Sequence, residues 1–230
     1  MLLNINFTAY SSLKMPIEEK LYVHYGCGQA APPEWKNFDV SPTLRIQKTP
    51  VLGFLMRKSL GQVFDGNVRY GDITEGLPGI KDGTVDGAYC SHVLEHMSFE
   101  HFRIALRNTY KMLKPGGIFR IIMPDLEVLI RDYINDKDVK KDPEASITLI
   151  KRMMMGVEVR PRNVMAVTKH LFGYLEHLWL WDWESTEKEL RDAGFTNIRR
   201  CEFNDSADPM FKLVENKKRW ELVVKFEAIK

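Results

Sequence analysis

The sequence predicts a single α/β domain built on a doubly wound, mostly parallel sheet with an antiparallel C-terminal edge strand. Short apolar runs alternate with helical patterns from Leu21 onward, the rhythm of strand–helix–strand units. The first run, Leu21–Tyr25, breaks into Gly26-Cys27-Gly28, and a carboxylate follows at Asp39. That is the order of a buried first strand, a tight turn and a hydroxyl-reading acid at the next strand end. Two strand-like runs without a helix between them close the chain, which makes their pairing antiparallel.

Taken in order, residues 1–20 lack clear periodicity and read as an N-terminal arm, with a short helix at Ile17–Lys20. Leu21–Tyr25 is the first strand, and the second ends near Phe38-Asp39-Val40. Pro42, Pro50, Gly53 and Gly61 surround an apolar Val51–Met56 segment that reads as a connecting helix or flap. Val68-Arg69-Tyr70 leads into Gly71-Asp72-Ile73-Thr74, a third strand ending on a second carboxylate. Lys81-Asp82-Gly83 is turn chemistry, Val85–Cys90 is a fourth strand, and Ser91 is placed to cap a helix after it. Phe102, Ala105, Leu106, Tyr110 and Leu113 recur at helical spacing, and Lys114-Pro115-Gly116-Gly117 stops that helix. Ile118–Met123 is a fifth strand, closed by Pro124-Asp125.

From Leu126 to about Leu180 the pattern is helical but irregular, with a charged, solvated loop over 135–143. Met153-Met154-Met155 reads as core packing, or else as an adaptable pocket wall. The aromatic stretch HLFGYLEHLWLWDWES ends in a helix start at Ser185 or Thr186. Helix Glu187–Ala193, strand Asn197–Phe203 and strand Arg219–Ala228 complete the chain. The domain thus spans 21–230, with a helical lid insertion at about 126–184.

Composition narrows the function classes. The 33 basic residues nearly balance 31 acidic ones, so charge makes no case for nucleic acid. No apolar run approaches the ~18 residues of a membrane span, and Met1-Leu2-Leu3 lacks the basic start of a signal peptide. Cys27, Cys90 and Cys201 form neither a metal-type pair nor a disulfide framework, as in a reduced cytoplasmic protein. A homo-oligomer is compatible with all of this.

HYGCG, NFDV, GDIT, DGAYCSHVLEHM and LKPGGIFRIIMPD occur in this order, followed by a closing GF-strand-loop-strand. In these segments the sequence resembles class I S-adenosylmethionine-dependent methyltransferases. It looks most like the bacterial predicted methyltransferases with GCG…SHVLEH…LKPGG motifs. The resemblance covers roughly residues 21–228 and implies a Rossmann-like, seven-stranded sheet with S-adenosylmethionine as cofactor. It further implies that Gly26, Cys27 and Gly28 pass under the methionine part and that Asp39 holds the ribose hydroxyls. Asp72 would accept from the adenine amino group, with Ile73 against the ring, and Ser91 and His92 would face the methionine end and the reacting methyl. The match departs at His24, where the class usually has an acidic residue, so how the ammonium is held there stays open. Plainer roles exist for the same residues: Asp72 as a turn cap, Asp39 as a solvated acid, Cys27 as a small residue in a tight loop.

His92-Val93-Leu94-Glu95-His96 also matches H-x-x-E-H, an inverted zinc-hydrolase signature. On a helix, His92 and His96 share a face, and Glu95 lies beside them. The neighbouring segments already have another explanation, and the sequence assigns no metal. In methyltransferases with a related E-x-x-E-H, a divalent ion is bound, and here Glu95, His96 and a later histidine such as His170 would complete such a site. For methyl transfer to a hydroxyl, His92 is the expected general base. His170, Tyr174 and His177 are candidates for the acceptor side. Phe172, Tyr174, Trp179, Trp181 and Trp183 make the insertion aromatic, which suits either a sugar or glycan acceptor or simple core packing. The expected partner is therefore a small-molecule or glycan acceptor, with no nucleic acid and no membrane.

Overall fold

The structure, a computed structural model, describes residues 19–50, 63–159 and 176–230. The expected arm over 1–18, the Val51–Met56 segment, and His170, Phe172 and Tyr174 lie outside these residues.

The strands are β1 (Tyr22–Tyr25), β2 (Lys36–Asp39), β3 (Arg69–Tyr70), β4 (Val85–Ser91), β5 (Leu113–Pro124), β6 (Thr196–Arg200) and β7 (Val223–Ile229). They form one seven-stranded sheet in the order β3-β2-β1-β4-β5-β7-β6. β1 pairs in parallel with β2 and β4, β2 with β3, and β4 with β5. β7 runs antiparallel to both β5 and β6, so it lies between them and β6 forms the edge. The predicted doubly wound, mostly parallel sheet is present. Its order reverses between β1 and β4, the switch point where open α/β sheets bind ligands.

The helices are α1 (Pro42–Lys48), α2 (Phe99–Met112), α3 (Leu126–Ile134), α4 (Ala145–Arg152) and α5 (Trp183–Asp192). α2 buries Phe102, Ala105, Leu106, Thr109 and Met112, the three-to-four spacing of one apolar face. This face meets Val23, Tyr25, Ala88 and Phe119 from the sheet, together with Leu190 of α5, in the larger core. A second core on the opposite face joins Tyr22, Trp35, Tyr89 and Ile122 to Phe211, Val214 and Trp220. Those last residues come from the connection between β6 and β7, which carries short 3₁₀ turns at Pro209–Leu213 and Lys217–Arg219.

The β6–β7 connection is tied down by a buried ion network. Arg120 of β5, fully buried, reaches Glu227 at 2.6 Å, Glu215 at 2.7 Å and Asp205 at 2.9 Å. A guanidinium in the interior needs such partners on several sides.

Several boundaries differ from the sequence expectation. Ser91 ends β4 and caps nothing; the cap of α2 is Ser98, whose hydroxyl accepts from the His101 amide at 3.3 Å. α5 starts at Trp183, capped by Asp182 in a reciprocal box with Ser185, rather than at Ser185 or Thr186. β7 begins at Val223, because residues 217–219 are spent on a 3₁₀ turn. The first part of the expected 135–143 loop continues α3 as a turn of π-helix over Asn135–Val139, still on the surface. Met154 and Met155 are 44% and 46% exposed, so they are not core packing.

Candidate active site

The carboxyl ends of β1, β2 and β4 converge on the loop after Tyr25. Gly26 and Gly28 both adopt positive φ, at 63° and 55°, and Cys27 between them is buried against Leu44 and Phe64. At Gly26 the constraint is steric as well as conformational: a Cβ there would stand 2.1 Å from Cγ2 of Val93. The Asp39 carboxylate at the end of β2 accepts from the Gly28 amide at 3.0 Å and the Ser41 amide at 2.8 Å. One acid thereby fixes both the glycine turn and the start of α1.

A cavity of about 360 Å³ opens over this turn, lined by His24, Gly26, Cys27, Gly28, Tyr89 and Ser91, with Gln29 and Ala30 at its side. Its volume lies in the ~300–1,000 Å³ range of small-molecule pockets. The β6–β7 connection supplies the remaining wall through Val214, Asn216 and Arg219. Sequence reasoning missed these three. The only local signal was the basic cluster Lys217-Lys218-Arg219, which a strand assignment absorbed.

Two polar groups in this cavity lack partners. Both ring nitrogens of His24 and the Ser91 hydroxyl are buried without a hydrogen bond among the described residues. Buried polar groups are ordinarily paired, so unpaired ones lining a cavity suit a polar ligand. Burial, with a smaller effect from the Arg219 charge, lowers the His24 pKa to about 3, which keeps the ring neutral. The Arg219 guanidinium donates to the Ser91 carbonyl at 2.9 Å, so a cation stands at the same end of the cavity.

Asp72 and Ile73, the residues expected on the adenine side, sit farther along the sheet and do not line this cavity. Asp72, two residues beyond β3, accepts from the amide and the hydroxyl of Thr74 at 2.8 and 2.7 Å. Ile73 is 3% exposed within the larger core, and its carbonyl accepts from Asn108 at 2.8 Å.

His92 leaves β4 in the left-handed region with φ 52°, and only Leu94–His96 form a 3₁₀ turn. The H-x-x-E-H segment is therefore not a helix, and the expected shared helical face of His92 and His96 does not exist. The His92 Nε2 lies 3.0 Å from the Arg219 carbonyl, and its Nδ1 lies 3.3 Å from Oε1 of Glu95. Glu95 is buried and also faces His177 at 4.0 Å. Burial holds the His177 pKa below its ordinary value, partly offset by Glu95.

The aromatic stretch divides. Trp181 is buried and stacked on Phe102 at 4.0 Å between ring centres, and Trp183 stacks on Phe226 at 4.2 Å. Both are core packing. Trp179 is 44% exposed and leans on Phe99.

A parallel sheet with a glycine turn at its switch point, a polar cavity over that turn and acids after β2 and β3 is the arrangement in which open α/β sheets bind ligands. Residues 24–121 match the family model described as methyltransferase domain, the stretch that contains the glycine turn, both acids and the end of β4. Over these residues the chain is similar to methyltransferase domains. A search of curated proteins finds no match. Among solved structures, a Thermotoga maritima S-adenosylmethionine-dependent methyltransferase aligns at 19% identity and TM-score 0.46, covering 91% of this chain and 82% of that one. A methyltransferase of Archaeoglobus fulgidus aligns at 19% identity and TM-score 0.47, with 92% and 86% covered. The YcgJ protein of Bacillus subtilis aligns at 12% identity and TM-score 0.48, with 92% of each chain covered. No helix of the described residues is long and apolar enough to cross a membrane.

Proposed function

We propose that the protein transfers the methyl group of S-adenosylmethionine to a hydroxyl of a small-molecule or sugar/glycan acceptor, with His92 as general base. The observation that carries this reading is the junction at the end of β4. Ser91 lines the cofactor cavity, and its neighbour His92, with a quarter of its side chain exposed, is paired with the buried carboxylate of Glu95. With Glu95 behind Nδ1 to stabilise the imidazolium, Nε2 acts as the base once an acceptor hydroxyl replaces the Arg219 carbonyl beside it.

When bound, the cofactor would supply an electrophilic methyl group for transfer to the acceptor oxygen, and His92 would take the hydroxyl proton. The chain's own residues hold and orient. Gly26, Cys27 and Gly28 give the methionine part a surface without side chains in the way. The Asp39 carboxylate, with lone pairs beyond the two amides it already accepts from, suits the ribose hydroxyls. Asp72 suits the adenine amino group, and Ile73 the ring side. Arg219 and Asn216 suit the carboxylate of the amino-acid end, while His24 and Ser91 offer unpaired polar atoms there. The insertion at 126–184 would cover the acceptor, with Trp179 as its exposed ring for a sugar face. Three buried, unpaired cysteines fit a cytoplasmic setting.

A second reading, cofactor binding without turnover, is favoured by one contact: the His92 Nε2 is taken up by the Arg219 carbonyl. The two readings separate in one assay. Turnover of S-adenosylmethionine to S-adenosylhomocysteine is measured against a panel of hydroxylated acceptors, for the wild type and His92→Ala. Turnover that His92→Ala abolishes while retaining cofactor binding supports the first reading. Turnover unchanged in His92→Ala removes His92 from the chemistry.

A further inference from the structure

We propose that Glu95, His96 and His177 form a binding site for a divalent first-row transition-metal ion of the zinc, cobalt or manganese type. One ligand atom from each of these residues lies within 4.8 Å of the others. An ion held at ~2.0–2.2 Å from each needs its ligands only slightly closer, at ~3.5 Å, a change within reach of side-chain rotation.

Hydrogen bonding constrains the ligand atom of His96. The His96 Nδ1 lies 2.9 Å from the Glu176 carbonyl. A carbonyl only accepts, so the proton sits on Nδ1 and the lone pair on Nε2 points elsewhere. A backbone oxygen that fixes the tautomer of a ligating imidazole is the recurrent outer partner in metal sites. His177 is 6% exposed, and its Nε2 faces Oε1 of Glu95 at 4.0 Å. The two imidazole rings lie 5.0 Å apart.

Glu95 is the most buried of the three. It is 1% exposed, and neither carboxylate oxygen makes a hydrogen bond among the described residues. The His92 Nδ1, at 3.3 Å, is near enough to pair by charge but lacks hydrogen-bond alignment. Burying a carboxylate without donors is expensive, and a cation among its neighbours is a standard remedy.

The backbone holds these ligands together. Leu178 and Trp179 both donate to the Glu95 carbonyl, at 2.8 and 3.2 Å, and His177 donates to the Met154 carbonyl at 3.2 Å. The 3₁₀ turn carrying Glu95 and His96 is thereby clamped to the irregular segment carrying His177. Two imidazoles and one carboxylate select transition ions over magnesium or calcium, which prefer oxygen. Three protein ligands leave positions for a substrate oxygen. Occupied in that way, the ion would anchor the acceptor hydroxyl beside His92 and acidify it; this role rests on the methyl-transfer reading, whereas ion binding does not.

The test measures binding and not activity. Purified protein is stripped with a chelator, then titrated with Co²⁺ and followed by visible d–d absorption, with Zn²⁺ content measured after dialysis. The expected result is one ion per chain, with affinity reduced at least about tenfold in His177→Ala and in His96→Gln, and unchanged in the surface variant His101→Ala. Cofactor affinity is measured on the same samples with S-adenosylhomocysteine. Absence of Co²⁺ and Zn²⁺ binding in the wild type overturns the site even where cofactor binding is intact, and so does wild-type ion affinity in His177→Ala. Ion binding without S-adenosylhomocysteine binding would keep the site and remove only its role in methyl transfer.

Discussion

The Asp39 carboxylate accepts the Gly28 amide at 3.0 Å, so the acid that ends β2 also sets the shape of the turn that ends β1. The two residues stand eleven positions apart in the chain, and parallel pairing of β1 with β2 brings them together. One side chain thus serves the fold and the cavity at once.

Gly26 is the most constrained point of that turn. Gly26→Ala would put a Cβ at 2.1 Å from the stiff, β-branched Val93 and leave the residue at φ 63°. The expected cost is about 1–3 kcal/mol of stability, with loss of cofactor binding. Urea unfolding checks the first and S-adenosylhomocysteine titration the second. A variant with wild-type values in both would show that the turn tolerates a side chain.

His24 gives a pH dependence of definite sign. Its folded-state pKa, about 3, is far below the ordinary 6.5. Below pH 6.5 the unfolded chain therefore takes up a proton that the folded protein does not. The His24 contribution is fully present above pH 6.5 and declines as pH falls toward 3, by up to ~1.4 kcal/mol per pH unit. Unfolding free energies between pH 7 and 5 should fall less steeply in His24→Gln than in the wild type. Equal slopes would mean that the ring titrates normally in the fold.

Arg120 separates packing from pairing. Arg120→Ala leaves the buried Glu215 without its guanidinium, whereas Glu227 keeps Arg199 at 2.7 Å, and the expected loss is about 3–5 kcal/mol. Because this network anchors the connection that carries Arg219, cofactor affinity should fall as well. Urea denaturation and calorimetry read the two effects; a loss below about 1 kcal/mol would show that water compensates the acids.

Trp181 and Trp179 should behave oppositely. Trp181→Ala removes a buried ring stacked at 4.0 Å on Phe102 and should cost about 3–5 kcal/mol. Trp179→Ala removes a half-exposed ring and should leave the thermal midpoint nearly unchanged while raising the KM for an acceptor that stacks on it. A large stability loss in Trp179→Ala would assign that ring to the core too.

What the sequence made legible was local. The glycine turn, the first and fourth strands and the Phe102, Ala105 and Leu106 part of the α2 face each depend on neighbours within a few residues, and they formed as expected. Leu113, by contrast, opens β5 instead of closing the helix, and β3 ends at Tyr70, short of Asp72. Errors arose where a distant segment decides. Ser91 resembles a helix cap because the following HVLEH has helical spacing, yet the His92 amide bonds to the Ile122 carbonyl of β5, which keeps the chain in the sheet. Arg219 joins the cavity because Arg120, Phe211 and Trp220 fold its segment back over β1 and β4. His96 meets the Glu176 carbonyl across 80 positions, a closeness no spacing rule reveals. Met154 and Met155 read as core by composition, but they follow the end of α4 and face outward.

Asp39 is the carboxylate proposed to hold the ribose and seen to hold the turn, so calorimetric titration of S-adenosylhomocysteine into the wild type and Asp39→Ala probes both. The wild type should bind saturably, one to one. In Asp39→Ala, with its circular dichroism intact, affinity should fall by about 10- to 100-fold, the loss expected when charged hydrogen bonds are removed. Equal affinity in the two proteins would contradict the assignment of the cofactor to the carboxyl ends of β1 and β2.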